Sequence, residues 1–254
     1  MKSFSDKMLT FALHYKLTTT MGNEKAKRIQ TSLLNGLEKK VLVAIANRMP
    51  RKVTSDTLTL IGMGGAVLVF IGFVLSNLSL QFLWLGIIGM FINWYGDSLD
   101  GTVARVRKTQ RPIYGYFLDH NVDVFNETLL FVGAGLSPVI SLPTALFALS
   151  GYFAISIYTY ICQVITNEFR LTYGKMGPTE FRLIIQFLCI CFMYIPALTA
   201  HHWDVKFGNE VFSFGIFDYI ALGIALLLFL LYLIYFIRDK NRLAVIDPLP
   251  ESQE

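Results

Sequence analysis

Charge is scarce in this chain. Lys, Arg, Asp and Glu make up 16% of the 254 residues, against about 25% in an ordinary soluble domain, too few to coat a globule in water. Cysteine is scarcer still, with three residues, which excludes a disulfide-stapled scaffold. Disorder is excluded by the opposite imbalance, because 54% of the residues are hydrophobic. Residues 1–20 lack a continuous apolar core, being broken by Lys2, Asp6, Lys7 and His14, so no cleavable signal peptide is expected. What is abundant is apolar and aromatic. The 21 Phe and 12 Tyr suit lipid-facing and interfacial positions, and the whole composition points to an integral membrane protein with no nucleic-acid partner.

A membrane helix needs about 20 apolar residues. Six segments qualify: Thr57–Leu78, Ser79–Gly96, Tyr114–Gly135, Leu142–Ile165, Phe181–Ala200 and Phe214–Ile237. Their orientation follows from where lysine and arginine are missing. The loops at 76–82 and 136–143 have none and the 201–213 loop has only Lys206, so 21 of the 22 cations fall on one side of a six-span arrangement. The positive-inside rule then places both termini in the cytoplasm. Ahead of the first span, apolar residues at 34, 37, 41, 42 and 45 recur at helical spacing, with Glu38, Lys39 and Arg48 off the stripe. This reads as an amphipathic helix lying on the cytoplasmic leaflet. The expected fold is therefore all-α: a polytopic membrane protein with six transmembrane helices preceded by a cytoplasmic amphipathic interfacial helix. Residues 1–32 form a cytoplasmic N-terminal segment, 33–52 the juxtamembrane helix, 53–238 the membrane domain and 239–254 a cytoplasmic tail.

Ionisable groups at membrane depth are costly, yet five acids stand at the adjoining ends of spans two and three. Asp97 and Asp100 are three apart, Asp119 and Asp123 four apart, and Glu127 lies one turn further; each spacing shares a helix face. The short basic loop 105–113 is expected to return the chain, so that the two helices run antiparallel as neighbours and four carboxylates converge. Alone they would repel and take up protons. Hard divalent cations relieve this, and an all-oxygen set favours Mg2+, Mn2+ or Ca2+ over zinc. Two such ions would balance four carboxylates and suit in-line displacement at phosphorus. Gly96, Gly101 and Gly115 leave room for a bulky ligand, and Arg105 suits phosphate contact.

The run from Asp97 to Arg105, nine residues, and the run from Gly115 to Asp123 together resemble the signature of the CDP-alcohol phosphotransferase family, D-x2-D-G-x2-A-R, eight or nine residues, G-x3-D-x3-D. All eight fixed positions match. The six-span layout, the preceding amphipathic helix and the entry Val53–Thr59 extend the likeness to roughly residues 33–237. Asp56 stands where many members have Asn. The resemblance implies a homodimer with a polar cavity open to the cytoplasm. It implies that Asp97, Asp100 and Asp119 bind two divalent ions (Mg2+ or Mn2+) holding the CDP pyrophosphate, and that Asp123 is both ligand and general base. It also implies that Asp56, Gly101, Ala104, Arg105 and Gly115 contact the CDP group. A bacterial inner membrane is the expected location.

The acceptor is left open by the residues. Arg170, Lys175 and Arg182 in the cytoplasmic loop 167–182 suit the phosphate of an alcohol such as glycerol phosphate or inositol phosphate, while Glu168 and Glu180 equally suit an amino-alcohol. His120 suits proton transfer, or merely orients a neighbouring carboxylate; a comparable Asp-His pair occurs in the choline/ethanolamine branch of the family. The expected activity is transfer of the phosphatidyl group of CDP-diacylglycerol to a small polar alcohol. Its rivals are a CDP-choline or CDP-ethanolamine:lipid-alcohol phosphotransferase and, from another class, a divalent-cation transporter. His201, His202 and Asp204 lie on the opposite side and read as an interfacial loop. Cys162, Cys189 and Cys191 read as packing residues in apolar spans.

Overall fold

The computed structural model describes residues 27–29, 35–166, 168–170, 177–208 and 210–249. Among them run eight α-helices: α1 (Asn35–Arg48), α2 (Ser55–Leu75), α3 (Leu83–Val106), α4 (Pro112–Gly135), α5 (Leu142–Thr166), α6 (Pro178–Tyr194), α7 (Pro196–Ala200) and α8 (Ile216–Ile246). Two small sheets accompany this mainly helical fold. Strand β1 (Lys27–Ile29) pairs parallel with β2 (Glu168–Arg170), and β3 (His202–Phe207) pairs antiparallel with β4 (Glu210–Gly215).

Helices occupy all six expected segments. Among the described residues, three stretches are long and apolar enough to cross a membrane: Ser55–Leu75, Leu142–Ile165 and Ile216–Ile246. Helix α8 is apolar nearly all round, with Leu226, Leu230, Leu233 and Ile234 exposed, as lipid-facing residues are. Helices α3 and α4 each have 24 residues but carry the acidic signature within them, and α6 has 17. The fifth expected segment is not one helix. Pro196 has no N–H to continue α6 and holds Ile195 extended, so the chain restarts as the one-turn α7. The expected loop at 201–213 is instead a hairpin, turned at Gly208 in the left-handed region (φ +64°).

Helix α2 begins on a sequence-encoded cap: the Thr54 hydroxyl accepts from the Thr57 N–H at 3.1 Å. It packs along the length of α3, and that contact is backbone on backbone. A Cβ on Gly65 would collide with the backbone of Asn93 and Gly89, and one on Gly96 would lie 2.5 Å from Gly62 N and Leu58 O. Gly65 and Gly96 are thus packing positions at which the two helices meet closely. Helix α4 lies against α2 and α5, not along α3, which corrects the expectation that the signature helices are packed neighbours; their acidic segments face each other across the site.

Helix α1 also departs from expectation by about one position. Its buried face carries Leu42 and Ala46, which join Leu58, Leu99 and Val103 in a core cluster, while Val41 is 45% exposed. Glu38, expected off the apolar stripe, shares that inward face. The Arg107 guanidinium anchors the exit from α1 by donating to the carbonyls of Val53 at 2.5 Å, Met49 at 2.9 Å and Pro50 at 2.9 Å. A second cluster around Val69, Phe73, Leu83, Met90, Cys189, Phe192 and Phe217 fills the far half of the bundle, in keeping with a packing role for Cys189.

The α2–α3 contact gives a matched pair of substitutions. Gly65→Ala forces two backbones apart, and overpacking of this kind costs about 1–3 kcal/mol. Gly64→Ala, next in sequence and facing open space, should be neutral or stabilising by about 0.5–1 kcal/mol through helix propensity. Thermal unfolding in detergent should show a lowered Tm for Gly65→Ala alone.

Candidate active site

The signature residues are placed by two helix ends. Helix α3 continues past the end of its apolar stretch to Val106, carrying Asp97, Asp100, Gly101, Ala104 and Arg105 on regular helix. It stops in a Schellman-type cap: Lys108 takes a left-handed conformation (φ 56°), Thr109 N–H donates to Ala104 O at 2.9 Å, and Lys108 N–H to Arg105 O at 3.2 Å. Helix α4 starts at Pro112, whose fixed φ suits a first helical position, and carries Gly115, Asp119, His120 and Asp123.

Across the space between them, single carboxylate oxygens of Asp97, Asp119 and Asp123 lie within 4.8 Å of one another. This is the one cluster of three or more metal-capable groups among the described residues. Asp100 stands outside it. Its Oδ2 accepts from the Thr59 hydroxyl at 2.7 Å, its Oδ1 from Gly101 N–H, and its backbone carbonyl from the Ser55 hydroxyl at 2.9 Å. Helix α2 thus holds Asp100 at the edge of the trio.

Arg182 enters from α6. Its Nη2 donates to Asp97 Oδ2 at 2.9 Å, with 16% of the arginine side chain and 28% of the aspartate exposed. A guanidinium this deep is stabilised by carboxylates, and Glu127, one turn beyond Asp123 on α4, is also within its Coulombic reach. Of the other two cations expected with it, Arg170 is described only as backbone in β2, and Lys175 lies outside the described residues.

The remaining predicted residues lie on α2, α3 and α4. His120 packs between the rings of Tyr116 and Tyr160, each centroid 4.1 Å away, with Nδ1 3.9 Å from Asp119 Oδ2. It therefore flanks the trio from the α5 side. Asp56 is exposed in the first turn of α2, where Tyr114 donates to it at 3.3 Å and Arg111 approaches to 4.0 Å. Arg105 donates to Thr102 Oγ1 at 2.8 Å on the exposed side of α3. A Cβ on Gly115 would meet nothing within 4 Å, and one on Gly101 would meet only Arg105, nearest at 3.3 Å. Beside Asp123 a cavity of about 150 Å3 opens between α4 and α5, lined by Val124, Tyr152, Phe153, Ser156 and Tyr160.

Sequence reasoning did not anticipate Thr59, Arg107 or the inward Glu38. Thr59 was legible in principle, since it falls one turn after Ser55 on α2, but nothing local says that this face meets Asp100. On the opposite side, His201 and His202 pair with backbone carbonyls of Ala197 and Thr199, each at 3.0 Å, and take no part in a metal-capable cluster among the described residues.

A bundle with lipid-compatible helices and an all-carboxylate cluster at one end has the makings of a membrane-embedded enzyme acting at phosphorus. Residues 52–236 match the family model described as CDP-alcohol phosphatidyltransferase, and the chain belongs to that family. No curated protein matches the chain. The family is membrane-integral, generally uses divalent metal ions and transfers a substituted phosphoryl group from a CDP-linked donor to an alcohol, which removes the transporter reading. The match begins at residue 52, so α1 precedes it.

The Thr59–Asp100 hydrogen bond yields a test of how firmly α2 holds this signature carboxylate. Loss of a hydrogen bond to a charged group is worth about 1.5–3 kcal/mol. Thr59→Val should therefore destabilise the protein by about 1.5–3 kcal/mol, measured as a lowered Tm in detergent, and Thr59→Ser, which keeps the hydroxyl, should lie near the parent.

Proposed function

We propose that this protein transfers the phosphatidyl group of CDP-diacylglycerol to a small polar alcohol, releasing CMP. The observation that carries this reading is the half-buried Arg182 set against Asp97 beside the open trio. It is a fixed cation next to the place where phosphorus would react, suited to an anionic acceptor such as a phosphorylated alcohol.

The donor set fits hard cations. Three carboxylate oxygens within 4.8 Å and no nitrogen or sulfur among them suit Mg2+ or Mn2+. Asp97, Asp119 and Asp123 would hold them, with Asp100 at the edge completing a two-ion site. Bound there, the ions would neutralise the pyrophosphate and polarise its phosphoryl oxygens. The chain's own residues do the rest. Gly101 and Gly115 leave space for the nucleotide, with Asp56, Ala104 and Arg105 bordering it. Asp123 takes the proton from the acceptor hydroxyl, whose oxygen attacks the phosphorus distal to cytidine. The bond from that phosphorus to the CMP oxygen breaks, and CMP leaves. Arg182 orients the acceptor, together with Arg170 and Lys175.

The surrounding architecture belongs to the same proposal: six spans, α1 on the cytoplasmic leaflet, both termini cytoplasmic, the chain paired as a homodimer in a bacterial inner membrane. One observation favours the aminoalcohol branch instead. The cavity beside Asp123 is lined by Val124, Phe153 and Ile157, surfaces suited to a lipid hydroxyl.

Purified protein given CDP-diacylglycerol, Mg2+ and a panel of alcohols should release CMP and form a new phospholipid with a phosphorylated alcohol. Release only with diacylglycerol and CDP-choline or CDP-ethanolamine would establish the other branch. Arg182→Ala should raise the acceptor KM about ten- to a hundredfold, the worth of a charge-assisted contact, and the donor KM far less. An equal effect on both would remove Arg182 from the acceptor pocket.

Asp123→Asn keeps the side chain's shape but cannot accept a proton. Near-complete loss of CMP release with CDP-donor affinity largely kept is expected. His120→Ala, which removes a ring stacked between two tyrosines, should retain substantial activity. The reverse pattern would move the base to His120.

A further inference from the structure

Glu38 lies in α1, outside the span matched to the family and outside the signature. Its carboxylate nevertheless joins three helices. Oε1 accepts from Trp94 Nε1 of α3 at 2.9 Å, from the Ser98 hydroxyl of α3 at 3.5 Å and from the Thr179 hydroxyl of α6 at 3.0 Å, while Oε2 lies 3.2 Å from the same Thr179 hydroxyl. These donors are not scattered. Trp94 is three residues before Asp97 and Ser98 is the next residue after it; Thr179 is three residues before Arg182. One carboxylate therefore grips α3 and α6 within a turn of each member of the Asp97–Arg182 ion pair.

The two helices need such a grip. Helix α6 begins at Pro178, capped by Gly177 N–H donating to Glu180 Oε2 at 3.0 Å, and it meets α3 over a limited stretch compared with the α2–α3 contact. Where a carboxylate is held on one helix and its guanidinium on another, the spacing of the helices sets the geometry of both. Helix α1 supplies the fixed point. Leu42 and Ala46 are 7% and 2% exposed against Leu58, Leu99 and Val103, so Glu38 projects from a helix already seated on α2 and α3.

We propose that Glu38 is a positioning residue for the active site: it sets α6 against α3 and thereby fixes Asp97 and Arg182 relative to the carboxylate trio. This rests on the reading of Asp97, Asp119 and Asp123 as the metal-holding set. The hydrogen bonds it uses need an acceptor and not a charge, so Glu38→Gln keeps the function and Glu38→Ala loses it.

The test is Mn2+ binding to the purified full-length protein in detergent, followed by electron paramagnetic resonance without substrate, with Tm recorded for each variant. Supporting groups around metal ligands are worth about 10- to 100-fold in affinity. Glu38→Ala should weaken Mn2+ binding about tenfold at the low end of that range, and Glu38→Gln should lie within about threefold of the parent. Asp97→Asn is the control for the metal site itself. If it leaves Mn2+ binding intact, the metal reading fails; if it abolishes binding while Glu38→Ala binds like the parent, the positioning role fails and the metal reading stands. A Glu38→Gln as weak as Glu38→Ala overturns the hydrogen-bond account. Should Glu38→Ala not fold, Thr179→Val and Trp94→Phe each cut one arm, and parental Mn2+ affinity in both overturns the proposal.

Discussion

Helices α2 and α3 touch backbone to backbone along Gly62, Gly65, Gly86, Gly89 and Gly96, and the position of every signature residue on α3 is referred to that contact. In lipid there is no hydrophobic gain in bringing two helices together, so association rests on dispersion and on close approach at small residues. The consequence reaches the site directly. Because α3 is pressed onto α2, Ser55 and Thr59 come within hydrogen-bond distance of Asp100, and Asn93 donates to Gly62 O at 3.0 Å one turn before Asp97. A side chain at Gly65, Gly89 or Gly96 would force the two backbones apart and displace Asp97 and Asp100 with α3.

The second constraint is electrostatic. Asp97, Asp119, Asp123 and Glu127 crowd one end of a bundle whose other half is apolar. Each carboxylate alone would be costly to bury, and together they repel. The fold answers with donors from outside the signature: Arg182 from α6 on Asp97, and Thr59 from α2 on Asp100. The helices carrying the acids are not packed flank to flank, which leaves the space between them for ligand. Catalysis and stability thus pull in opposite directions at the same residues, since closer packing of α3 on α4 would stabilise the bundle and close the site.

The far side of the molecule is built by ordinary means. Asp218 accepts from Gly215 N–H at 2.9 Å and from Ser141 N–H and Oγ at 2.8 and 2.6 Å, capping α8 and tying it to the start of α5. Asn77 donates to Leu136 O at 2.7 Å and joins the α2–α3 turn to the end of α4. These contacts help a bundle with few charges keep its register at the end away from the carboxylate cluster.

What the sequence determined by itself is whatever depends on local spacing: the apolar runs, the helical placement of Asp97, Asp100, Asp119 and Asp123, and the signature that assigns the family. Helical periodicity shows which residues share a face, but not which neighbour that face meets. So Gly62 and Gly65 are plain in the sequence of α2, while the α3 backbone that they meet is not. Arg182 was legible as a functional cation, but only the tertiary structure set it on Asp97, because the two lie 85 residues apart. Glu38 shows the limit most clearly. A charged residue off an apolar stripe reads as solvated, and here it turns inward because Trp94 and Thr179, on two distant helices, supply donors that local sequence cannot reveal.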